Sequence, residues 1–154
     1  MQYPRHITIY FMVKFISVPL AVICSQTWAD DGDKTKSLAL RKIMQDMGKN
    51  MQAITDGISR EDWESVARAA PLIANHPQPP LTEKMRILSF VGSDAGKFKG
   101  HDEKTQMVAR TLQEAALRGH GEAVIASFAT LQSSCLACHQ SFREPFLKHF
   151  YVRR

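Results

Sequence analysis

The sequence predicts an all-α protein that folds as an antiparallel four-helix bundle, and three observations support this prediction. Apolar residues recur at alternating steps of four and three along two long segments, residues 40–58 and 124–142, and this spacing places them on one face of a helix. Clusters of proline and glycine separate the segments. No segment shows the apolar–polar alternation of a half-buried strand, so helices joined by turns are expected.

The first two predicted helices are joined by a short turn. The first helix carries an apolar stripe of the bundle type, and Asp56-Gly57 lies near its end. Ser59 is followed three residues later by Asp62, a spacing similar to a capping box, so a second helix is expected to begin here and to run to about Asn75. The stripe of the first helix consists of Leu40, Met44, Met47, Met51, Ile54 and Ile58.

A long connection precedes the last two predicted helices. Residues 76–100 contain a proline cluster and several glycines, and the pattern is compatible with a short helix at residues 83–90. A third helix is expected from about residue 102 to residue 118, where Gly119-His120-Gly121 closes it. The fourth helix holds the second apolar stripe, and Pro145 is expected to end or restart it because proline removes a backbone donor.

The N-terminal segment has the layout of a secretory signal peptide, which predicts export to the periplasm of a Gram-negative bacterium. Its first part contains Arg5 and Lys14 and no acidic residue, an uncharged run covers residues 15–29, and acidic residues begin at Asp30. A small residue ends the uncharged run, so cleavage is expected after Ala29.

Two alternatives to cleavage remain open, an uncleaved membrane anchor and a lipid-modified Cys24. The uncharged run is shorter than the about 20 apolar residues of a transmembrane helix. Ile23 is also bulkier than the small residue that a lipid-modification site has before its cysteine. We therefore expect residues 1–29 to be a signal peptide and residues 30–154 to form one domain, with no stable membrane insertion after cleavage.

The charge balance excludes one class of partner. The chain has a formal net charge of +5, and part of this mild excess lies in a basic C-terminal tail. Nucleic-acid binding requires a dense basic face with interleaved aromatic side chains, and the sequence has no such pattern. The basic tail contains Lys148, His149, Arg153 and Arg154.

The strongest chemical signal is Cys135-Leu136-Ala137-Cys138-His139, near the C-terminus. Two cysteines three apart, followed at once by a histidine, form the covalent haem-attachment signature of c-type cytochromes. The two thiols add to the haem vinyl groups as thioethers, and His139 supplies an axial nitrogen to the iron. On a helix these three positions share one face. The alternative is a redox-active or reduced Cys-x-x-Cys pair beside an incidental histidine.

Two segments resemble the cytochrome c-prime family, the class II c-type cytochromes: residues 43–51 in the first helix and residues 135–143 in the fourth. The resemblance covers residues 34–144. It implies an up-down-up-down bundle with one covalently bound haem c. The first segment is similar to the low-spin c-556 subgroup, in which a methionine at the position of Met44 is the second axial ligand of the iron.

Bundle geometry supports the same methionine. The first and fourth helices run antiparallel, so Met44, roughly 15 Å along the first helix, is expected near the level of His139. Met51 would lie two turns further along, whereas Met47 is one turn away and remains an alternative ligand. Otherwise Met47, Met51 and Met107 are expected to pack in the core.

The other candidate residues give weaker signals. Arg143 follows His139 by four residues on the same helical face, so it is expected either to contact a haem propionate or the proximal side, or to be solvated. The remaining histidines lie in predicted loops or helix ends and are expected at the surface. They are His76, His101, His120 and His149.

Three functions from different classes follow from these patterns. The first is a periplasmic one-electron carrier, not an enzyme, that serves redox partner proteins as a monomer or homodimer. The second is a five-coordinate cytochrome c-prime that binds NO or CO for gas binding or detoxification. The third is a thiol oxidoreductase without haem. A sulfur ligand from Met44 would favour ferrous haem and raise its potential, and we therefore expect the electron carrier.

Overall fold

The computed structural model describes residues 38–151, which fold as an all-α bundle and contain no strand. This confirms the predicted fold class. The signal peptide predicted at residues 1–29 lies outside the described residues. The helices are α1 (Ala39–Ser59), α2 (Trp63–Ala74), α3 (Leu81–Val91), α4 (Ala95–Leu117) and α5 (Gly121–Phe150), with a 3₁₀ turn at Gly92–Asp94 between α3 and α4.

The four helices of the bundle are α1, α2, α4 and α5. Helix α1 packs against α2, α2 against α4, and α4 against α5, while α1 also meets α5. Tight turns join α1 to α2 and α4 to α5, so these neighbours run antiparallel. The short helix α3 is the additional element between α2 and α4. Within the described part of the chain, no helix is long and apolar enough to cross a membrane.

Helix α2 begins one turn later than the Ser59 spacing suggested. Its N-cap is Asp62, whose carboxylate accepts a hydrogen bond of 2.9 Å from the backbone N–H of Ser65. The Ser59 hydroxyl instead donates back to the Thr55 carbonyl inside α1. Because the Ser59 hydroxyl is used at the end of α1, it does not cap α2. Asp62 is the residue that satisfies a free N–H group at the start of α2.

Helix α4 starts at Ala95, earlier than the expected residue 102. Gly92, with φ of 53°, ends α3 in the left-handed region that glycine adopts readily, and the chain enters the next helix within one 3₁₀ turn. The early start also brings Phe98 against the aromatic side chains of α5, and its ring lies 5.2 Å from the Phe142 ring, centroid to centroid. Tertiary packing therefore extends this helix through a glycine-rich segment.

Helix α5 continues through Pro145 to Phe150 instead of ending or restarting at the proline. A proline inside a helix costs about 3 kcal/mol because it removes a hydrogen bond and crowds the preceding turn. The last turns of α5 carry Phe146 and Phe150, which pack against other aromatic rings. Burial of such side chains contributes about 1.5–3 kcal/mol each, which is large enough to offset the proline.

The first of two apolar clusters, here called the alanine cluster, fills the middle of the bundle and the end at the α1–α2 and α4–α5 turns. Small residues dominate it, and the helices approach closely there. An added Cβ at Gly57 of α1 would lie only 2.9 Å from Cγ2 of Val66 on α2. The buried members are Ile54, Val66, Ala67, Ala69, Ala70, Ile73, Ala74, Ala109, Leu112, Ala115, Ala116, Val124 and Leu131.

The second cluster, here called the aromatic cluster, fills the opposite end of the bundle, where α3 packs. Several of its rings meet edge to face, as in the Phe90–Phe146 pair at 5.2 Å, an arrangement that aromatic side chains prefer. The buried members are Leu38, Ile87, Val91, Phe142 and Phe146, and Leu40, Phe90, Ala95, Phe98, Cys138, Phe150 and Tyr151 pack around them.

Helix α3 also caps the start of α1. Glu83 is buried, and its carboxylate accepts hydrogen bonds from the backbone N–H groups of Ala39 at 2.6 Å and Leu40 at 2.8 Å. Leu38, the N-cap of α1, makes no side-chain cap of its own, so Glu83 satisfies donors that would otherwise be unpaired. Arg41 lies over the Tyr151 ring at 5.3 Å, and this contact places the start of α1 beside the end of α5.

Candidate functional site

The chemistry-bearing residues lie where the helices pass from one apolar cluster to the other. On α5, Leu131 belongs to the alanine cluster and Phe142 to the aromatic cluster, with the Cys-x-x-Cys-His motif between them. On α1, Leu40 packs against the aromatic cluster and Met47 against the alanine cluster. We call this level of the bundle the site layer. It contains Met44, His76, His101, Asp102, Cys135, Cys138 and His139.

Helix α5 presents the motif residues on one helical face in the middle of a 30-residue helix. Cys135 and Cys138 are partly buried, and His139 is exposed. Burial raises the pKa of the Cys138 thiol to about 11, with smaller contributions from the negative charges of Asp102 and Cys135. Burial also raises the pKa of Cys135. Although His139 is exposed, partial loss of water around its ring lowers its pKa, and the positive charge of Arg143 lowers it further.

This environment does not suit a thiol oxidoreductase. Reactive Cys-x-x-Cys pairs have lowered thiol pKa values, typically because they lie at a helix N-terminus or beside a cation. Cys135 and Cys138 lie far from the N-terminus of α5, and their pKa values are raised. The geometry suits two side chains that project from one helix face toward a single flat group.

Met44 differs from the methionines one and two turns further along α1. Met47 and Met51 pack against the alanine cluster, as expected for core residues. Met44 belongs to neither cluster, and 39% of its surface is exposed. Met47 also lines a groove of about 360 Å³ between α1 and the end of α2. Met107, expected in the core, is exposed on α4, so that expectation was wrong.

His76 is buried in the site layer, and the expectation of a surface position was wrong. Its Nε2 lies 3.1 Å from Oδ1 of Asp102, its Nδ1 lies 3.0 Å from the carbonyl oxygen of Ile73, and only 5% of its side chain is exposed. Both ring nitrogens therefore face acceptors, an arrangement that favours the doubly protonated ring. The hydrogen bond to Asp102 raises the pKa of His76 against its burial, and the same bond lowers the pKa of Asp102.

His101, the residue before Asp102, is also turned inward. Its Nε2 is buried and has no hydrogen-bond partner among the described residues, and its ring lies 6.0 Å from the Phe142 ring at a steep angle. Buried polar atoms are rarely left unsatisfied. A polar edge of a bound group in the site layer would satisfy this nitrogen, so the surroundings of the motif fit a cofactor that has both an apolar body and polar substituents, as haem does.

Arg143 is exposed on α5, one turn beyond His139. Its charge contributes to the lowered pKa of His139, so the two side chains are electrostatically coupled, in agreement with the spacing of four. The motif and the apolar stripe predicted the candidate residues of α5 and α1, and their roles toward haem stay predictions. These patterns missed His76, His101 and Asp102, since each lies in or near a polar segment without a motif and is brought inward only by the fold.

Comparison with known proteins agrees with this geometry. A family model described as Cytochrome C′ matches residues 38–143, which include the start of α1 and the whole Cys-x-x-Cys-His motif. No curated protein and no solved structure matches the chain. Because the family model covers most of the chain and the bundle carries the attachment motif on its last helix, the chain belongs to the cytochrome C′ family, whose haem c proteins are electron carriers or gas-binding proteins.

Proposed function

We propose that this protein is a periplasmic one-electron carrier of the low-spin c-556 type. One haem c is attached covalently to Cys135 and Cys138, and its iron is ligated by His139 and Met44. The observation that carries the proposal is the position of Met44, which is partly exposed at the level of the motif and belongs to neither apolar cluster. Met47 and Met51 pack against the alanine cluster instead, so Met44 is the methionine of α1 whose sulfur lies outside the packed core and is available as a ligand.

The residues around the motif have distinct roles in this proposal. Haem iron, when bound, supplies the one-electron couple, and a methionine sulfur ligand favours its ferrous form. Cys135 and Cys138 hold the group to one helix and fix its orientation. Phe98 and Phe142 close the side of the site layer toward the end of the bundle, which limits the access of water from that direction.

Covalent attachment is tested by removing the thiols. The wild-type protein, produced in a host that matures c-type cytochromes, should keep its colour after acid-acetone extraction, and its denatured mass should exceed that of the mature chain by one haem. Cys135→Ser and Cys138→Ser should each leave at most one thioether link and lower the yield of holoprotein. A colourless wild-type protein with two titratable thiols would refute the proposal.

Axial ligation is tested by a matched pair of methionine substitutions. Met44→Leu should convert the haem to high spin, remove the weak near-infrared sulfur-to-iron band of the oxidised protein, lower the potential and speed CO binding. Met47→Leu is a nearly volume-conserving change of a packed side chain, so it should leave the spectrum unchanged and cost less than about 1.5 kcal/mol. The reverse pattern would make Met47 the ligand.

The same spectra distinguish electron transfer from gas binding. A six-coordinate low-spin wild type should bind CO slowly or incompletely, because the gas must displace the Met44 sulfur. A wild type that is already high-spin and binds CO readily would identify Met44 as a packing residue and would favour the gas-binding function.

Arg143→Gln should shift the potential if the guanidinium contacts a propionate or the proximal side, and should leave it unchanged if Arg143 is solvated.

Export is tested separately. The secreted form should begin at Asp30 or within a few residues of it, because the N-terminal layout is that of a cleaved signal peptide. Recovery of the intact Met1 end in a membrane fraction would show that the uncharged run is an anchor. In that case the protein would be a tethered carrier with the same haem chemistry.

A further inference from the structure

We propose that the outward face of helix α3 is the docking surface for a redox partner protein that has an apolar centre and an acidic rim. The inference rests on the proposed electron-carrier function. Helix α3 is apolar on two opposite sides. Ile87 and Val91 face inward and are buried in the aromatic cluster, whereas Leu81, Met85 and Leu88 are exposed on the outward side.

An apolar outward face is unusual for a short surface helix. A helix that packs on one side only normally shows polar residues on the other. Leu81, Met85 and Leu88 follow one another at steps of four and three, so they form one continuous stripe along α3 instead of scattered exposed residues. Contiguous exposed apolar surface marks an interaction site.

The charges beside this stripe are positive. Lys84 and Arg86 flank it on either side, and neither has a carboxylate within 4.0 Å among the described residues. The one acidic residue of α3, Glu83, is buried and caps α1. The partner is therefore expected to present carboxylates around an apolar centre, since complementary charges speed association and orient the two proteins.

The end of the bundle opposite to α3 carries mainly negative charge. Around the α1–α2 and α4–α5 turns, acidic side chains outnumber basic ones. The described part of the bundle therefore has a positive and a negative end, and the positive end would turn toward an acidic partner on approach. The acidic residues at this end are Asp56, Glu61, Asp62, Glu64, Glu114 and Glu122, and the basic ones are Arg60, Arg68 and Arg118.

The position of α3 suits electron transfer. Its inner face shares the aromatic cluster with Cys138 of the motif and with Phe142, one turn beyond it on α5. One helix diameter, about 10 Å, separates the outward stripe from that cluster. A partner docked on α3 would therefore be separated from the motif by this helix and by the aromatic cluster, against which Cys138 itself packs.

The experiment uses the holoprotein on gold electrodes coated with a mixed carboxylate- and methyl-terminated monolayer, which stands in for an acidic partner with an apolar centre. Met85→Gln with Arg86→Glu should lower the interfacial electron-transfer rate by about tenfold or more. The matched control is Leu117→Gln with Arg118→Glu at the other end of the molecule. Met85 and Leu117 are similarly exposed, at 59% and 70%, and the charge change is identical, so the control should stay within about twofold of wild type.

Solution measurements separate the two proposals. Mediated titration in solution should give the same midpoint potential for the wild type and both variants. A wild type without a reversible haem couple in solution would refute the electron-carrier function, whatever happens at the electrode. Docking on α3 would be refuted if all three proteins have a reversible haem couple in solution and their electrode rates are equal. It would also be refuted if the control variant loses more of its electrode rate than the α3 variant. Lys84→Glu alone supplies a second test if the double variant folds poorly.

Three other results would assign the α3 face to a different occupant and overturn the proposal. In sedimentation experiments, the wild type could prove to be a dimer that the double variant, Met85→Gln with Arg86→Glu, does not form. That result would identify a second copy of the chain as the occupant. Flotation with anionic lipid vesicles that the same variant abolishes would identify a membrane surface. A wild-type electrode rate that rises after proteolytic removal of residues before Leu38 would show that the N-terminal segment covers the stripe.

Discussion

The alanine cluster and the aromatic cluster occupy the same bundle but are packed from opposite kinds of side chain. The alanine cluster is built from alanines of α2 and α4, together with branched aliphatic residues from all four bundle helices. The aromatic cluster contains six phenylalanine and tyrosine rings and draws on α3 as an additional helix. Small side chains allow helix backbones to approach, whereas large rings keep them apart.

Two glycines at the alanine end show how closely the helices approach there. At the alanine end, a Cβ on Gly57 would contact Val66 Cγ2 at 2.9 Å, and a Cβ on Gly121 would lie 3.0 Å from the Trp63 ring. In the half of the bundle that holds the site layer and α3, a Cβ on Gly48, Gly96 or Gly100 would meet nothing within 4 Å. A Cβ at Gly57 would force Val66 to shift, and a Cβ at Gly121 would need a small movement of the Trp63 ring, whereas the other three glycines are exposed.

The difference teaches how a small bundle can bear a functional group without losing its scaffold. Close packing at the alanine end holds the four helices together, because interiors at crystal-like density tolerate few changes of volume. At the other end large rings fill the interior, and the site layer includes the His76–Asp102 pair and a histidine nitrogen that has no hydrogen-bond partner among the described residues. Stability and chemistry are therefore assigned to different levels of the same helices.

The largest expected effect comes from truncating one large side chain in each cluster. Phe142→Ala should lower the free energy of unfolding by about 3–5 kcal/mol, and Leu112→Ala should lower it by about 2–5 kcal/mol. Phe142 is one turn beyond the motif, so only its truncation should also shift the absorbance spectrum and the potential of the holoprotein. Urea unfolding and redox titration measure both quantities. An unchanged spectrum for Phe142→Ala would show that the clusters are not functionally distinct.

The second effect is a pH dependence of the free energy of unfolding that comes from two residues of the site layer, His76 and Asp102. Because the pKa of His76 is raised, its contribution is complete below the ordinary histidine value of 6.5 and disappears as the pH rises through the raised value. Because the pKa of Asp102 is lowered, its contribution is complete above 3.8 and disappears as the pH falls through the lowered value. The pair therefore stabilises the fold most between these two ordinary values.

Asp102→Asn tests this ion pair. It should lower the free energy of unfolding by about 1.5–3 kcal/mol within that window, the range for hydrogen bonds to charged groups. It should also lower the pKa of His76, which NMR titration measures. The control is the neighbouring Glu103→Gln, since Glu103 forms an exposed ion pair with Lys99 at 3.2 Å and such pairs contribute less than about 1 kcal/mol. Equal losses from the two substitutions would argue against the buried pair.

The smallest effect comes from replacing two glycines of α1 by alanine, which should change the free energy of unfolding in opposite directions. Gly48→Ala should stabilise the protein by up to about 1 kcal/mol, because alanine favours the helix and the space is open. Gly57→Ala should destabilise it by about 1 kcal/mol or more, because the fully buried Val66 has to move. Thermal unfolding of the two variants measures the comparison directly. Stabilisation by both would mean that the α1–α2 contact is looser than its geometry indicates.

Local sequence patterns predicted most of the bundle. The stripe from Leu40 to Ile58 predicted α1 to within about one residue at each end, since a regular spacing of apolar residues depends only on the helix itself. The start of α4 and the end of α5 were missed. Packing of Phe98 and Phe146 against other rings outweighs the glycines and the proline in these segments. This packing comes from contacts between helices, which no local pattern contains.

The candidate site divides in the same way. The Cys135–His139 motif is local, because its three side chains need only one helix to share a face. The His76–Asp102 pair joins a loop to α4, and neither residue belongs to a motif, so the sequence placed His76 at the surface. Met107 was expected in the core because it is apolar. The buried side of α4 instead consists of other residues such as Ala109 and Leu112.

The cap that Glu83 places on α1 has a consequence for the motions of the native protein. Its carboxylate is the acceptor for the first amides of a helix 44 residues earlier in the chain. Whenever α3 opens, Ala39 and Leu40 lose that acceptor, so hydrogen exchange at these amides should proceed in the same cooperative unit as exchange in α3. A molecule bound to α3 would slow this opening, and the turn of α1 that leads to Met44 would become more persistent as a result.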